Sequence, residues 1–204
     1  GAYGVEVREF IETVEAYHRG TQQLKRISNA DCEFGYRDSM FKRSLEDWTI
    51  TAVEFRLPRQ RELRLDYAGV KEELAAMGVV DSVRPSHVAE AISRIRTRKL
   101  PNPALIGNAG SFFKNPILPM AQAQALQAEH PGLPVFGSDP AERKLSAAWL
   151  IEQAGWKGYR EGDAGISAQH ALVLVNHGRA TGAQLLDLAR KVASSIREKY
   201  GVML

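Results

Sequence analysis

The chain has 204 residues, 44% hydrophobic and 25% charged, the balance of a globular protein able to bury a core. No apolar run approaches the roughly 20 residues that span a bilayer and no basic-then-apolar leader is visible, so a membrane anchor and a signal peptide are not expected and a cytoplasmic location is. The net charge of +3 comes from scattered Lys and Arg, which favours small anionic ligands over nucleic acid, and a single cysteine, Cys32, excludes an internal disulfide.

Sheet comes first along the chain. GAYGVEV reads as a turn running into a strand already under way, and a chain headed by Gly rather than Met is expected to be an internal piece of a longer polypeptide. From Val5 to His18 apolar residues alternate with polar ones (Val5, Val7, then Ile11, Val14 and Ala16 after one slip), which predicts strands with one buried face. Arg19-Gly20-Thr21 is the expected turn, and Leu24 and Ile27 mark a second strand. Cys32 reads as a small buried hydrophobe. Trp48, Ile50 and Ala52, then Val53, Phe55 and Leu57, mark a third strand with a bulge-like phase change after Ala52. Leu63, Leu65 and Tyr67 continue the period of two.

Helical spacing follows. Val70 to Met77 predicts a short helix ended by Gly78, and Val88, Ile92 and Ile95 line one face of a helix preceded by Pro85-Ser86. Leu100-Pro101-Asn102-Pro103 stops it and marks the expected domain boundary. Beyond lie a glycine-rich loop, Gly107 to Gly110, and helices from about Ala121 to Glu129 and from Leu145 to Gln153. Ala171 to Val175 is a continuous apolar strand, covered on both faces. The last helix opens with a capping box, Thr181 with Gln184, and its stripe of Leu185, Leu188, Val192 and Ile196 runs to Gly201.

Two stretches could carry chemistry. In Gly107-Asn108-Ala109-Gly110-Ser111-Phe112-Phe113-Lys114-Asn115-Pro116, small residues that admit a ligand to the backbone flank a hydroxyl, a cation and an amide. The same glycines equally suit a tight turn, and the stretch is neither a phosphate-binding Walker loop nor a GxSxG elbow. In Phe34-Gly35-Tyr36-Arg37-Asp38-Ser39 an arginine stands between an aromatic and an acid, which reads either as a site or as a surface ion pair. The five histidines (His18, His87, His130, His170, His177) form no i, i+4 pair, so no metal site is expected.

The segments GAYGVEV, CEFGYRDSMFK, RTRKLPNP, GNAGSFFKNP, KLSAAWLIEQAGWKG and HALVLVN occur in the order and approximate spacing of the UDP-N-acetylenolpyruvoylglucosamine reductase family. The chain resembles that family over essentially its whole length, in the subtype with a tyrosine-bearing substrate loop. The resemblance implies an α+β fold: residues 1–100 as the C-terminal part of a PCMH-type FAD-binding domain, and 101–204 as an α+β substrate-binding domain.

It further implies an FAD-dependent oxidoreductase in which NADPH reduces the flavin and hydride passes to UDP-N-acetylglucosamine enolpyruvate, giving UDP-N-acetylmuramate for peptidoglycan. Arg37 matches the arginine that stabilises the enolate, and Ser111 the serine that donates the proton. Tyr36, Tyr67, Lys99, Lys114, Asn115, Gln169 and His170 match substrate contacts, although many relatives carry Gln where His170 stands. Gly1, Tyr3, Gly4 and Arg37 remain to touch the flavin, because the family's FAD pyrophosphate loops precede GAYG. The chain also stops short of the family's C-terminal Pro-Glu stretch, so reductase turnover is not expected of this polypeptide alone. The expected protein is a monomer with no nucleic-acid or membrane partner. The alternative is a non-catalytic UDP-sugar-binding module that has kept the pocket without the flavin.

Overall fold

In the computed structural model, which describes residues 1–204, the chain divides between Ser93 and Arg94 into two units, the first with one antiparallel sheet and the second with two. The fold is α+β.

The first unit is built on a three-stranded sheet ordered β2-β1-β3, with β1 at Ile11–His18, β2 at Gln23–Ser28 and β3 at Trp48–Phe55. Val14 faces Ile27 across the β1/β2 hairpin, and these two with Ala16 and Cys32 form a buried cluster closed by Ile11, Phe34, Phe41, Leu45 and Trp48. Cys32 is the small buried hydrophobe expected, and burial pushes its thiol pKa up.

Three expectations change here. Val5 does not lead into a strand: Ala2 and Val5 exchange backbone hydrogen bonds of 2.9 and 3.1 Å across a tight turn, and Val7–Phe10 forms a 3₁₀ turn before the ladder begins at Ile11. With those backbone groups closed on themselves, Val5 has no edge to offer. The bulge in β3 lies at Thr51 rather than after Ala52, since Glu15 pairs with Ala52 and Ala16 with Ile50. Leu63 to Tyr67 is no strand, because side chains, described below, hold that stretch in place of a ladder. Helix α1 (Val70–Ala76) buries Val70 and Leu74 and ends ahead of Gly78, whose φ of +73° suits a residue without Cβ. Helix α2 (Pro85–Lys99) opens on Pro85, which spares an N–H that has no helical partner, and buries Ala91 and Ile95.

The second unit pairs β4 (Gly107–Ser111), β10 (Val173–Asn176), β9 (Ala164–Ile166) and β8 (Arg160–Glu161) in one antiparallel sheet, order β4-β10-β9-β8. A smaller sheet orders β5 (Ile117–Pro119), β7 (Glu142–Leu145) and β6 (Val135–Phe136) as β5-β7-β6. Helix α3 spans Met120–Glu129, α4 Ala147–Gln153 and α5 Gly182–Tyr200. The glycine-rich stretch expected as a loop is strand β4: Asn108 and Gly107 pair with Val175 and Asn176, so its glycines serve a ladder. Leu145 belongs to β7 and not to the helix, which starts one residue past its N-cap Ser146. Strand β10 starts only at Val173, because Ala171 and Leu172 complete a turn in which the Val173 amide bonds back to His170. The predicted capping box of α5 is present, with Gly201 in the left-handed conformation at its end. Leu188, Val192 and Ile196 of α5 join Leu145, Leu150, Ile151, Ile166 and Leu174 in one buried core. No helix is long and apolar enough to cross a membrane.

Candidate functional site

The first unit brings Tyr3, Gly4 and Tyr67 together. Tyr3 and Gly4 occupy the centre of the Ala2–Val5 turn with φ of +52° and +74°, a conformation in which a tyrosine is strained. The Tyr3 ring lies 4.9 Å from that of Tyr67 at 55°. Arg64 holds the same turn: its guanidinium donates to the Gly4 carbonyl at 3.0 Å and to both oxygens of Glu9, at 3.1 and 2.7 Å. Arg61 reaches the same carboxylate at 2.9 Å. Hydrogen bonds from Arg64 and then Arg61 lower the Glu9 pKa to about 2. Sequence reasoning missed Glu9, Arg61 and Arg64. Their only trace there is an acid near the start and an arginine-rich run from Arg56 to Arg64, with no spacing that pairs them.

Tyr36 and Arg37 sit in a turn of their own, closed by Gly35 N–H to Asp38 O at 2.9 Å. Arg37 has φ +57°, again unfavourable for a residue with a Cβ, and its carbonyl accepts from Lys42 Nζ at 2.9 Å. The reading of Arg37 as half of an ion pair with Asp38 does not hold. Asp38 pairs with Arg43 at 3.5 Å, while the exposed Arg37 guanidinium lies 5.8 Å from the Tyr36 ring centroid and has no carboxylate partner. A cation kept in a strained turn, without an anion of its own, is available to a ligand.

The second unit carries Ser111, Lys99, Lys114, Asn115, Gln169 and His170. Ser111 closes β4 opposite Val173, with its side chain exposed, and Phe112 N–H donates to Leu172 O at 2.7 Å. Ahead of Ser111 β4 carries a bulge: two residues of β10, from Val173 to Val175, span three of β4, and Gly110 at φ +78° absorbs the extra one. The Asn108 carboxamide fixes that geometry by donating to Ile106 O at 3.0 Å and accepting from Gly110 N at 3.1 Å. A cleft of about 440 Å³ opens beside Asn108, Ala109 and Gly110, walled by Leu100, Pro101 and Pro103.

Lys114 is exposed, and Asn115 Oδ1 accepts the Ala147 N–H at 3.0 Å, the first amide of α4. Ser167 Oγ accepts from Gln169 N at 3.1 Å and His170 N at 3.3 Å, which shapes the turn into β10. Burial, then the charges of Lys99 and Lys157, lower the His170 pKa, so the ring is neutral at pH 7. Its Nδ1 accepts from Leu172 N at 3.3 Å, which leaves the proton on Nε2 as a donor. Lys99 is thus an ammonium close enough to His170 to depress it. The unit thus carries two lysines and a neutral imidazole donor suited to anionic oxygens, and an exposed serine hydroxyl.

Residues 102–204 match the family described as UDP-N-acetylenolpyruvoylglucosamine reductase, C-terminal domain. A UDP-N-acetylenolpyruvoylglucosamine reductase from Xanthomonas euvesicatoria pv. vesicatoria is 60% identical over 100% of this chain and 58% of its own length. One from Xanthomonas campestris pv. campestris is 61% identical, with the same coverage. The chain therefore spans less than two thirds of these relatives. The crystal structure of a UDP-N-acetylenolpyruvylglucosamine reductase from Thermus caldophilus superposes with a TM-score of 0.55 at 26% identity, over 94% of this chain and 50% of that one.

Proposed function

The chain belongs to the UDP-N-acetylenolpyruvoylglucosamine reductase family, and on that footing we propose that it serves the FAD- and NADPH-dependent reduction of UDP-N-acetylglucosamine enolpyruvate to UDP-N-acetylmuramate, in peptidoglycan synthesis. The observation that carries this reading is Ser111, exposed at the end of the bulged strand β4, within a segment that matches the family domain. We place the enzyme in the cytoplasm, as a monomer without nucleic-acid or membrane partners.

A bound flavin, once reduced by NADPH, would supply hydride for the methylene carbon of the enolpyruvyl ether. On this chain, the Tyr3 ring and the unpaired Arg37 guanidinium suit a planar, anion-accepting ring system, and we assign Gly1 and Gly4, which flank Tyr3 closely, to the same contact. As hydride arrives at the substrate, negative charge develops on the neighbouring carbon and its carboxylate. Arg37 meets that charge, and a cation that binds the enolate more tightly than the ether lowers the barrier by the difference.

Ser111 then donates its hydroxyl proton to the same carbon. A serine hydroxyl is a weak acid and transfers its proton only to a strong base, which the enolate is. Lys99 and Lys114 supply charge for the diphosphate, and Gln169 with the Nε2–H of His170 supplies neutral donors. Asn115 accepts the first amide of α4 with its oxygen and is assigned to the substrate as well, while Tyr36 and Tyr67 provide ring surface.

The test is made on the full-length gene product. A yellow protein that oxidises NADPH only when UDP-N-acetylglucosamine enolpyruvate is present supports the reading. A colourless protein that binds the UDP-sugar without turnover overturns it in favour of a binding module.

A further inference from the structure

The segment 57–66, which leads to Tyr67, has no backbone ladder. Close packing does not fix it either: a cleft of about 590 Å³ is lined by Leu63 of the segment and by Val88, Ala89 and Ile92 of α2. One carboxylate ties two of its arginines together. Glu9 takes both terminal nitrogens of Arg64, at 3.1 and 2.7 Å, and Arg61 at 2.9 Å. Each arginine has a second anchor, Arg64 on the Gly4 carbonyl at 3.0 Å and Arg61 over the Phe10 ring at 4.5 Å. An isolated exposed ion pair contributes little. A two-pronged guanidinium-carboxylate contact extended into a network has the fixed geometry such a pair lacks. Three residues beyond Arg64, Tyr67 meets the ring of Tyr3.

We propose that Glu9 is a positioning residue: through Arg61 and Arg64 it holds segment 57–66 where Tyr67 can meet the nucleotide, and so ties nucleotide binding to the Tyr3-Gly4 turn. This rests on the reading of Tyr67 as a nucleotide contact. A pKa of about 2 keeps the Glu9 carboxylate charged over the whole working range, so the latch does not open with modest acidification. Without it the segment samples positions from which Tyr67 cannot engage, and the apparent affinity for the ligand falls in proportion to the competent fraction.

The experiment uses the full-length protein and UDP as the probe. Glu9→Gln, nearly isosteric, weakens calorimetric UDP binding about fivefold, as expected if the competent fraction drops to about a fifth. In turnover it raises KM for the UDP-sugar far more than it lowers kcat. Trypsin cuts after Arg59, Arg61 or Arg64 faster in the variant than in the parent, a readout independent of activity. Arg64→Lys keeps the charge but cannot bridge Glu9 and Gly4 with two nitrogens, so it moves all three readouts the same way even if Glu9→Gln folds poorly. Unchanged UDP affinity and unchanged cleavage in both variants, with normal binding by the parent, overturn this inference alone. A parent that does not bind UDP removes the functional reading first and this inference with it.

Discussion

The side-chain oxygen of Asn115 accepts the backbone amide of Ala147 at 3.0 Å, joining the segment that carries Ser111 to the first residue of α4. Ala147 is fully buried, so no water replaces the bond if it is lost. Asn115→Ala therefore lowers the unfolding free energy by about 1–3 kcal/mol, the cost of an unmet buried donor. Asn115→Asp keeps an acceptor and loses less in urea titration. Both variants lose the carboxamide assigned to substrate, so both weaken UDP-sugar binding. This separates the structural share of Asn115 from its binding share.

The α+β fold was legible wherever one local signal decided the backbone. The Thr181/Gln184 capping box, the stripe from Leu185 to Ile196 and the Arg19-Gly20-Thr21 turn needed no tertiary information, and each is found. Period-two alternation misled at Leu63–Tyr67, because a strand also needs an edge to pair with and sequence does not show edges. The strands β5 to β9 have two to four residues each, too few for a period to register. The glycines of β4 pointed to a loop, yet the demand they meet is a bulge at Gly110. The assigned site residues rest on resemblance to a family and not on any local pattern, whereas Glu9 was invisible because its partners lie more than 50 positions away.

Gly110 isolates the energetic weight of that bulge. A Cβ built there meets nothing within 4 Å, so Gly110→Ala pays for its left-handed φ and for no clash. The variant is destabilised by about 1–2 kcal/mol in denaturant unfolding. Gly110→Asn, whose side chain tolerates that conformation better, loses less.

Arg37 sets stability against activity. Its φ of +57° costs about 1–2 kcal/mol that glycine does not incur, while glycine adds about 0.5–1 kcal/mol of unfolded-chain entropy. Arg37→Gly thus unfolds at the same or slightly higher denaturant concentration than the parent, yet loses reduction of the enolpyruvyl substrate. A clear fall in stability would show that the guanidinium serves the fold.

His170 gives the second unit a pH dependence of known sign. Burial, then Lys99 and Lys157, depress its folded pKa below 6.5, so below that pH the unfolded chain binds the extra proton first. The stabilisation is fully present above pH 6.5 and is lost as pH falls through the folded value. His170→Gln flattens the part of the profile below pH 6.5 in thermal unfolding, and an unchanged slope would place the titration elsewhere.

Ser111→Ala in the full-length protein tests the central claim most directly, with flavin reduction by NADPH and its reoxidation by UDP-N-acetylglucosamine enolpyruvate followed separately by stopped-flow absorbance. If the hydroxyl delivers the proton to the enolate, reoxidation slows by about 10²–10⁴ while reduction changes far less. Equal losses in both steps, or rapid reoxidation by substrate, would contradict the account.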